Sequence, residues 1–257
     1  MAKTRKAKKF KLLPIVFKQL SLDDAKKMKE SDHVFIIVPF RENKEKERGP
    51  QLEEFIKIFG SNRNRDPWKK FHVIVVEQSN DGKKFNRGAL LNIGAKLAGT
   101  MGATSLILHD VDLLPDKSIL PYYSAYPTDP IHIGGIWRRK YKHERFLGAI
   151  LHISLTQFAK ANGFPNNFYG WGGEDDVLGD RMLKKGIDTF YRPDFTDKGI
   201  TELIHEHVGD NPTLVVENKF IKRIKDDGKD GLFQTKYKKI GMETLAHNAW
   251  KLTVDLE

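Results

Sequence analysis

The sequence contains no cysteine among its 257 residues. This absence excludes disulfide bonds, thiolate metal sites and cysteine nucleophiles. The chain also lacks any apolar run near the ~20 residues that a membrane-spanning helix needs, and its first residues lack the apolar segment of a secretory signal peptide. We therefore expect a chain with no membrane anchor, located in the cytoplasm, since the absence of cysteine fits a reducing compartment.

The net positive charge is small outside the N-terminal region, although the formal net charge of the whole chain is +10. Residues 1–30 contain ten Lys or Arg and three acids, a balance of +7, which leaves only +3 for residues 31–257. A nucleic-acid-binding fold would carry Lys and Arg interleaved with aromatic residues. We therefore interpret residues 1–31 as a basic, partly disordered arm with one short helix, assign residues 32–257 to one folded domain, and expect no specific nucleic-acid partner.

Short apolar runs alternate with helical patterns through the first half of the chain. Strands are predicted at His33–Phe40, Phe71–Glu77 and Ser105–His109, with helices at residues 52–59 and 85–98. This alternation is typical of a parallel sheet covered by helices. In the second half we predict strands at residues 131–136, 148–154, 188–192 and 251–256 and helices at residues 155–162 and 177–185.

The stretch Leu106–Pro115 carries the first candidate site. It runs from a buried strand into Asp110 and Asp112, whose side chains point the same way if the chain is extended there. In open α/β sheets the carboxyl ends of strands bind ligands, and two carboxylates there need a positive partner. A divalent cation carrying a nucleotide diphosphate would satisfy both, whereas a turn with two solvated aspartates is the alternative that spacing alone leaves open.

A second candidate site is the sequence His205-Glu206-His207. Two histidines at i and i+2 of an extended segment share one side and can bind one metal ion. An isolated pair of this kind is more often a pair of surface histidines, but the Asp-x-Asp sequence adds weight to the metal hypothesis. Carboxylate, imidazole and phosphate ligands together suit Mn²⁺ better than Zn²⁺ or Ca²⁺.

The third cluster lies at residues 163–176, where three glycines surround Trp171 and three carboxylates follow at the start of a predicted helix. Acids in the first helical turn are favoured by the helix dipole alone, but the dipole does not explain an aromatic ring displayed between glycines. A tryptophan beside carboxylates is a common arrangement for binding a sugar, because the ring covers the apolar face and the acids bind the hydroxyls.

Five motifs, taken in order, resemble those of the β-1,4-galactosyltransferase family. The motifs are FIIVPFREN, FNRGALLNIGA, LILHDVDLLP, FLGAILHIS and GFPNNFYGWGGEDD. The resemblance covers the chain from about Val34 to its end. HDVDLLP and the histidine pair are closest to the xylosylprotein 4-galactosyltransferase branch, whereas the glycine-rich motif is similar to the branch that acts on N-acetylglucosamine.

The resemblance implies an α/β fold of GT-A type, a single Rossmann-like nucleotide-sugar-binding domain with a central, mostly parallel sheet. It also implies a UDP-sugar donor, Mn²⁺ and inversion at the anomeric carbon. We expect galactose to move from UDP-galactose to a hydroxyl of a saccharide or glycoconjugate acceptor in β-1,4 linkage. Another donor such as UDP-GalNAc or UDP-Glc is the near alternative, and a non-catalytic sugar- or nucleic-acid-binding protein is a weaker one.

The resemblance assigns roles to individual residues by position. Donor-binding residues would be Pro39, Phe40, Arg41, Asn43, Phe85, Arg87, Asp110, Val111 and Trp171. Metal ligands would be Asp112 and His207, together with His205. Acceptor-binding residues would be Phe146, Gly148, Glu174 and Asp175, with Asp175 also acting as the general base.

Two positions depart from the family pattern. Phe146 occupies a donor-pocket position that is commonly tyrosine, and the loss of that hydroxyl puts the identity of the donor sugar in question. Ala149 stands where glycine is usual.

Overall fold

The computed structural model describes residues 14–42, 48–60, 66–138, 143–170, 172–194, 199–203, 226 and 228–257. Within these ranges the strands are β1 Val16–Leu20, β2 Val34–Phe40, β3 His72–Gln78, β4 Ser105–His109, β5 Leu113–Pro115, β6 Ile150–Ser154, β7 Thr189–Pro193, β8 Ile200–Glu202, β9 Tyr237–Ala246 and β10 Ala249–Leu256. The helices are α1 Leu22–Lys27, α2 Arg48–Phe59, α3 Arg87–Thr100, α4 Leu120–Ser124, α5 Leu155–Lys160 and α6 Glu174–Lys184.

Six of the described strands form the central sheet, in the order β6-β4-β2-β3-β10-β9. The inner four are parallel to one another, and each edge strand is antiparallel to its neighbour. The prediction of a mostly parallel sheet is therefore confirmed. Two small pairs lie outside this sheet: β1 is parallel to β7, and β5 is antiparallel to β8.

The strand β2 lies at the centre of the core because all seven of its residues are buried. Successive side chains point to opposite faces of a sheet, so Ile36 and Val38 pack on the face covered by α2 and α4. Phe35 and Ile37 pack on the face covered by α3, α5 and α6. A strand buried on both sides reads as a continuous apolar run, which is why its position could be predicted.

Capping residues define several helix ends as the sequence indicates. The side-chain oxygens of Ser21, Asn86 and Ser154 each accept a hydrogen bond from the backbone N–H three residues later, at the starts of α1, α3 and α5. Such N-cap bonds satisfy donors that have no partner within the helix. None of the described helices combines the length and apolar character needed to cross a membrane.

Several predicted elements have different bounds in the structure. The segment at residues 131–136 is not a strand: Ile131 makes isolated bridges and Ile133–Arg138 forms a 3₁₀-helix. An apolar run of that length cannot be separated from a helical segment by periodicity. In addition, α3 continues through Gly99, and α6 begins at Glu174, three residues before its predicted start.

Residues 16–31, which we assigned to the arm, contain β1 as well as the predicted helix α1. The strand β1 was not predicted because most of its side chains are exposed or only partly buried. Its partner in the sheet is β7, which lies in the last third of the chain. The domain boundary itself stays a prediction, and residues 1–13 lie outside the described ranges.

Candidate active site

The helix α3 begins at the candidate site and places Arg87 there. The residue before it, Asn86, is buried and fixed on several sides. Its side-chain oxygen accepts from the N–H of Ala89 (2.9 Å), its amide donates to the carbonyl of Asn166 (2.7 Å), and its own N–H donates to the side chain of Gln78 (3.0 Å). The backbone that carries Arg87 is therefore held before any ligand arrives.

The guanidinium of Arg87 joins two parts of the chain. Its Nε donates to Oδ1 of Asp110, at the end of β4 (2.9 Å), and its Nη1 donates to Oδ1 of Asp175, in the first turn of α6 (3.0 Å). Oε1 of Glu174 lies 3.6 Å from the same Nη1. One buried cation is thus surrounded by three carboxylates, two of them predicted to act on the acceptor and one on the donor.

The imbalance of charge in this group changes the pKa values of its members. Burial raises the pKa of Asp110 to about 6, although Arg87 opposes the change. Burial and the neighbouring Asp175 raise the pKa of Glu174 to about 8, and burial also raises the pKa of Asp175 against the effect of Arg87. The raised pKa of Glu174 favours its protonated form at neutral pH, in which the carboxyl can donate a hydrogen bond, and raised pKa values of this kind are typical of functional sites.

Glycines just before α6 allow the turn that places Glu174 and Asp175 beside Arg87. Gly170, Gly172 and Gly173 have φ values of 99°, 91° and 92°, which side chains of L-residues rarely allow. Gly173 is also the N-cap residue of α6. The sharp turn that these glycines make aims the first turn of α6 into the site, and Trp171 between them lies outside the described residues.

The third acid of this turn, Asp176, points elsewhere. Its Oδ1 lies 2.7 Å from Nε2 of His143, and both side chains are close to half exposed. Asp175 and Asp176 are consecutive in the first turn of α6, but Asp175 contacts Arg87 and Asp176 contacts His143. The structure therefore separates two acids that the sequence presents as equals.

Gly148 and Phe146 border the carboxylate of Asp175. A Cβ added to Gly148 would lie 2.6 Å from Oδ2 of Asp175 and 2.7 Å from the ring of Phe146. Only a glycine lets that carboxylate and that ring approach the backbone so closely. Arg192 of β7 donates to the carbonyls of Glu144 (2.7 Å) and Phe146 (3.2 Å), which fixes the loop carrying the ring.

The Asp-x-Asp sequence is a turn and not an extended segment, so the condition under which its two carboxylates would point the same way is not met. The strand β4 ends at His109, and the following residues turn into β5. The carboxylate of Asp112 consequently faces a different arginine: Nη1 of Arg48, the first residue of α2, donates to its Oδ2 at 2.9 Å. The turn itself is backed by His109.

His109 is a supporting residue that the sequence analysis did not single out. Its Nδ1 lies 2.8 Å from the carbonyl of Asp110, and its Nε2 lies 2.8 Å from the hydroxyl of Tyr123. Burial lowers the pKa of His109 to about 4, so the ring is neutral at physiological pH. Its place in the HDVD motif was visible in the sequence, but its partner Tyr123 was not.

A metal site at Asp112 is consistent with the chemistry of the described residues. A partly exposed carboxylate is a suitable ligand for Mn²⁺. The N–H of Leu203, just after β8, donates to the carbonyl of Asp112 at 2.7 Å. His205 is two residues further along the sequence. His205 and His207 lie outside the described residues, among which no three potential ligands form a cluster.

The remaining donor-binding candidates lie near the carboxyl ends of β2 and β4 and the start of α3. Pro39 and Phe40 end β2, Phe40 and Val111 are buried, and the carbonyl of Phe85 accepts from the N–H of Gly170 (2.8 Å). Arg41 binds the loop after β3 through the carbonyls of Ser79 and Lys83 and the carboxylate of Asp81. Asn43 lies outside the described residues.

Comparison with known proteins shows what this arrangement is similar to. A family model described as the N-terminal region of glycosyl transferase group 7 matches residues 16–124, and one described as the N-terminal domain of galactosyltransferase matches residues 131–207. β-1,4-Galactosyltransferase 7 of Drosophila melanogaster is 31% identical over 84% of this chain and 67% of its own length. Xylosylprotein 4-β-galactosyltransferase of Caenorhabditis elegans is 33% identical over 64% of this chain and 55% of its own.

The chain thus spans about half to two thirds of the length of such curated relatives. Among solved structures, the catalytic domain of the Drosophila enzyme in complex with xylobiose is 28% identical, with a TM-score of 0.67 over 88% of this chain and 94% of that one. A mutant of the same enzyme in complex with manganese, UDP-Gal and xylobiose is 27% identical, with a TM-score of 0.65 over the same shares of the two chains.

Proposed function

The chain belongs to the β-1,4-galactosyltransferase family, group 7 of the glycosyltransferases with the GT-A fold, and from that premise we propose that it transfers galactose from UDP-galactose to a hydroxyl of an acceptor sugar. The proposed product has a β-1,4 linkage and an inverted anomeric centre. The observation that carries the proposal is the contact of Arg87 with Asp110 on one side and Asp175 on the other. A single guanidinium thereby ties the donor-side aspartate to the acceptor-side base.

Asp175 is the proposed general base. Its Oδ1 is held by Arg87, while its Oδ2 packs closely against the backbone of Gly148, which a side chain at that position would prevent. Burial raises the pKa of Asp175 above that of an ordinary aspartate. A base with a raised pKa removes a proton from an attacking hydroxyl more effectively, provided that it stays ionised. Arg87 opposes its protonation.

Glu174 and Phe146 would bind the acceptor. Because the pKa of Glu174 is raised to about 8, this side chain offers an O–H donor to a sugar hydroxyl at neutral pH. The ring of Phe146 lies beside Gly148, where it can cover the apolar face of a sugar. Phe146 stands where tyrosine is common in the family, so UDP-galactose must be compared directly with UDP-GalNAc and UDP-Glc as the donor.

Asp112 would hold Mn²⁺ together with His207 and His205. Bound Mn²⁺ would supply positive charge to the diphosphate leaving group. Asp110 differs in role, because its carboxylate is bound to Arg87, and its raised pKa of about 6 indicates a desolvated group that suits a hydrogen bond to the donor. A structure of a relative with manganese, UDP-Gal and xylobiose supports this assignment of cofactor, donor and acceptor class.

A transfer assay with defined donors and acceptors tests the proposal. Purified protein is incubated with UDP-galactose, UDP-GalNAc or UDP-Glc and with a β-xyloside or an N-acetylglucosaminide, with Mn²⁺ or with EDTA, and the products are identified by mass spectrometry. We expect a galactosylated product that requires Mn²⁺ and disappears in Asp112→Asn. Transfer that persists in EDTA, or that uses another donor in preference, would contradict the proposal.

A further inference from the structure

The ion pair between Arg48 and Asp112 carries an inference about how the proposed metal site is kept ready. We propose that Arg48 is an exchangeable counterion: it holds the carboxylate of Asp112 in the metal-free protein and is displaced when a divalent cation binds. This inference rests on the proposed function, because it takes Asp112 as a metal ligand. It assigns a role to Arg48, a residue that no part of the proposed chemistry uses.

A closed ring of contacts places Arg48 at the carboxylate. Its Nη1 donates to Oδ2 of Asp112 (2.9 Å) and to the side-chain oxygen of Gln51 (2.7 Å), one turn along α2. The amide of Gln51 donates to the carbonyl of Leu203 (3.4 Å), and the N–H of Leu203 donates to the carbonyl of Asp112 (2.7 Å). The ring joins four residues from three parts of the chain, and Arg48 is the member that contacts the carboxylate.

The helix itself does not favour a cation at this position. Arg48 is the first residue of α2, where the helix dipole favours negative charge, and this first turn contains no acid. Gln51, in contrast, is only 3% exposed, so the group that orients Arg48 is part of the packed interior. The position of Arg48 is thus explained by Asp112 and Gln51 and not by the local preferences of the helix.

The exposure of the pair makes exchange feasible. The side chains of Arg48 and Asp112 are each 31% exposed, whereas that of Arg87 is only 14% exposed. Partly exposed ion pairs are weak, and a divalent cation attracts a carboxylate more strongly than a single guanidinium does at a similar distance. A bound cation would also repel Arg48, so the two positive groups compete for one carboxylate.

Competition predicts that removing the charge of Arg48 tightens metal binding. The probe is Mn²⁺, first alone and then with UDP, measured by the electron paramagnetic resonance signal of the free ion. We expect Arg48→Met to lower the Kd for Mn²⁺ by about three- to tenfold, a factor of ten being worth about 1.4 kcal/mol. Arg48→Gln, which keeps hydrogen-bonding ability but loses the charge, should behave in the same way.

Lys57→Met is the matched control, because it removes one positive charge from the exposed face of the same helix, where Lys57 pairs with Glu54. Its Kd should stay within a factor of two of the wild-type value. The rise in melting temperature on adding Mn²⁺ should be larger in Arg48→Met than in the wild type, because the metal-free variant lacks the counterion. This second readout also reports whether the variant is folded.

The outcomes separate the inference from the proposed function. If wild-type protein binds no Mn²⁺, or if Asp112→Asn binds it as tightly as the wild type, the proposed metal site is wrong and the inference falls with it. If Asp112→Asn loses binding while both Arg48 variants bind Mn²⁺ no more tightly than the wild type, the metal site stands and the counterion role of Arg48 is overturned.

Discussion

Asp110 and Asp112 stand two residues apart in one turn and are about equally exposed, yet their arginine partners differ in burial and in further contacts. Asp110 meets a buried arginine that also binds Asp175, and burial raises its pKa to about 6. Asp112 meets a partly exposed arginine from another helix. The first carboxylate belongs to a fixed cluster, whereas the second is held by a weak and replaceable partner. The difference matches the two proposed roles, in which Asp110 keeps its geometry through the reaction and Asp112 accepts an incoming metal ion.

The largest expected effect tests the cluster around Arg87. Asp175→Asn removes the proposed base but keeps the shape of the side chain, so kcat should fall by about 10²–10⁴-fold. The affinity for Mn²⁺ and UDP should remain, since these depend on the Asp112 side. Steady-state kinetics and calorimetry on the same preparation measure the two quantities.

Asp176→Asn is the matched control for that variant, because Asp176 is adjacent but bonded to His143 and close to half exposed. Its kcat should change by less than about tenfold. If Asp176→Asn loses kcat and Asp175→Asn keeps it, the base is misassigned.

The second prediction compares the two arginines. Arg87→Met leaves Asp110, Glu174 and Asp175 without their cation; Glu174 and Asp175 are largely buried, and breaking a buried pair in this way typically costs about 3–5 kcal/mol of stability. Arg48→Met breaks a partly exposed pair and should cost no more than about 1 kcal/mol. Urea unfolding at pH 7 gives both values. Equal losses of stability would mean that the ion pairs of Arg87 are no stronger than the ion pair of Arg48.

The sequence predicts the buried strands that carry the site better than it predicts the ion-pair partners of the site residues. The strands β2 and β4 were identified because every residue in each is buried, and a fully buried strand is a plain apolar run. The edge strand β9 was missed because none of its side chains is buried and most are exposed, so no period-2 signal exists. Patterns of burial are local, and they reveal elements that are buried.

Ion-pair partners are not local, and this limits what the sequence says about the site. The family motifs assigned Arg87, Asp110 and Asp175 to one site, and the structure brings them into contact. Arg48 is 64 residues from Asp112, in a charged segment where it looks like any other solvated side chain. The helix predicted at residues 52–59 did not include Arg48, which the structure places in the first turn of α2. His205, His207, Trp171 and Asn43 lie outside the described residues, so their roles stay predictions.

The third prediction concerns how Glu174, in the cluster around Arg87, makes the stability of the protein depend on pH. The folded-state pKa of Glu174 is raised to about 8 from an ordinary value near 4.5, so between these two pH values the folded protein keeps a proton that the unfolded chain has lost. Stability from this group is therefore present at low pH and is lost as the pH rises toward 8. Glu174→Gln cannot ionise and should escape that loss.

The measurement is urea unfolding of Glu174→Gln and wild type at pH 5, 7 and 9. The difference in unfolding free energy should move in favour of the variant between pH 5 and pH 9, by on the order of 2 kcal/mol. The values at pH 5 serve as the internal reference, because folded Glu174 is protonated there. A difference that is constant with pH would show that Glu174 is ionised in the folded protein at neutral pH.

The smallest expected effect concerns the backbone that braces Asp110. Ala149 has a φ of +68°, and its carbonyl accepts from the N–H of Asp110 at 3.1 Å. A left-handed conformation costs an L-residue about 1–2 kcal/mol, whereas glycine adopts it freely but loses more entropy on folding, by about 0.5–1 kcal/mol. Ala149→Gly should therefore raise the unfolding free energy by about 0.5 kcal/mol and leave kcat unchanged.

Ala95→Gly is the control, because Ala95 lies within α3 and has ordinary helical geometry. This variant should instead lower the unfolding free energy by about 1 kcal/mol or more. Urea unfolding of the two variants decides the sign: a loss at position 149 as large as at position 95 would mean that the methyl group of Ala149 supports the Asp110 turn through packing that outweighs the strain of its backbone.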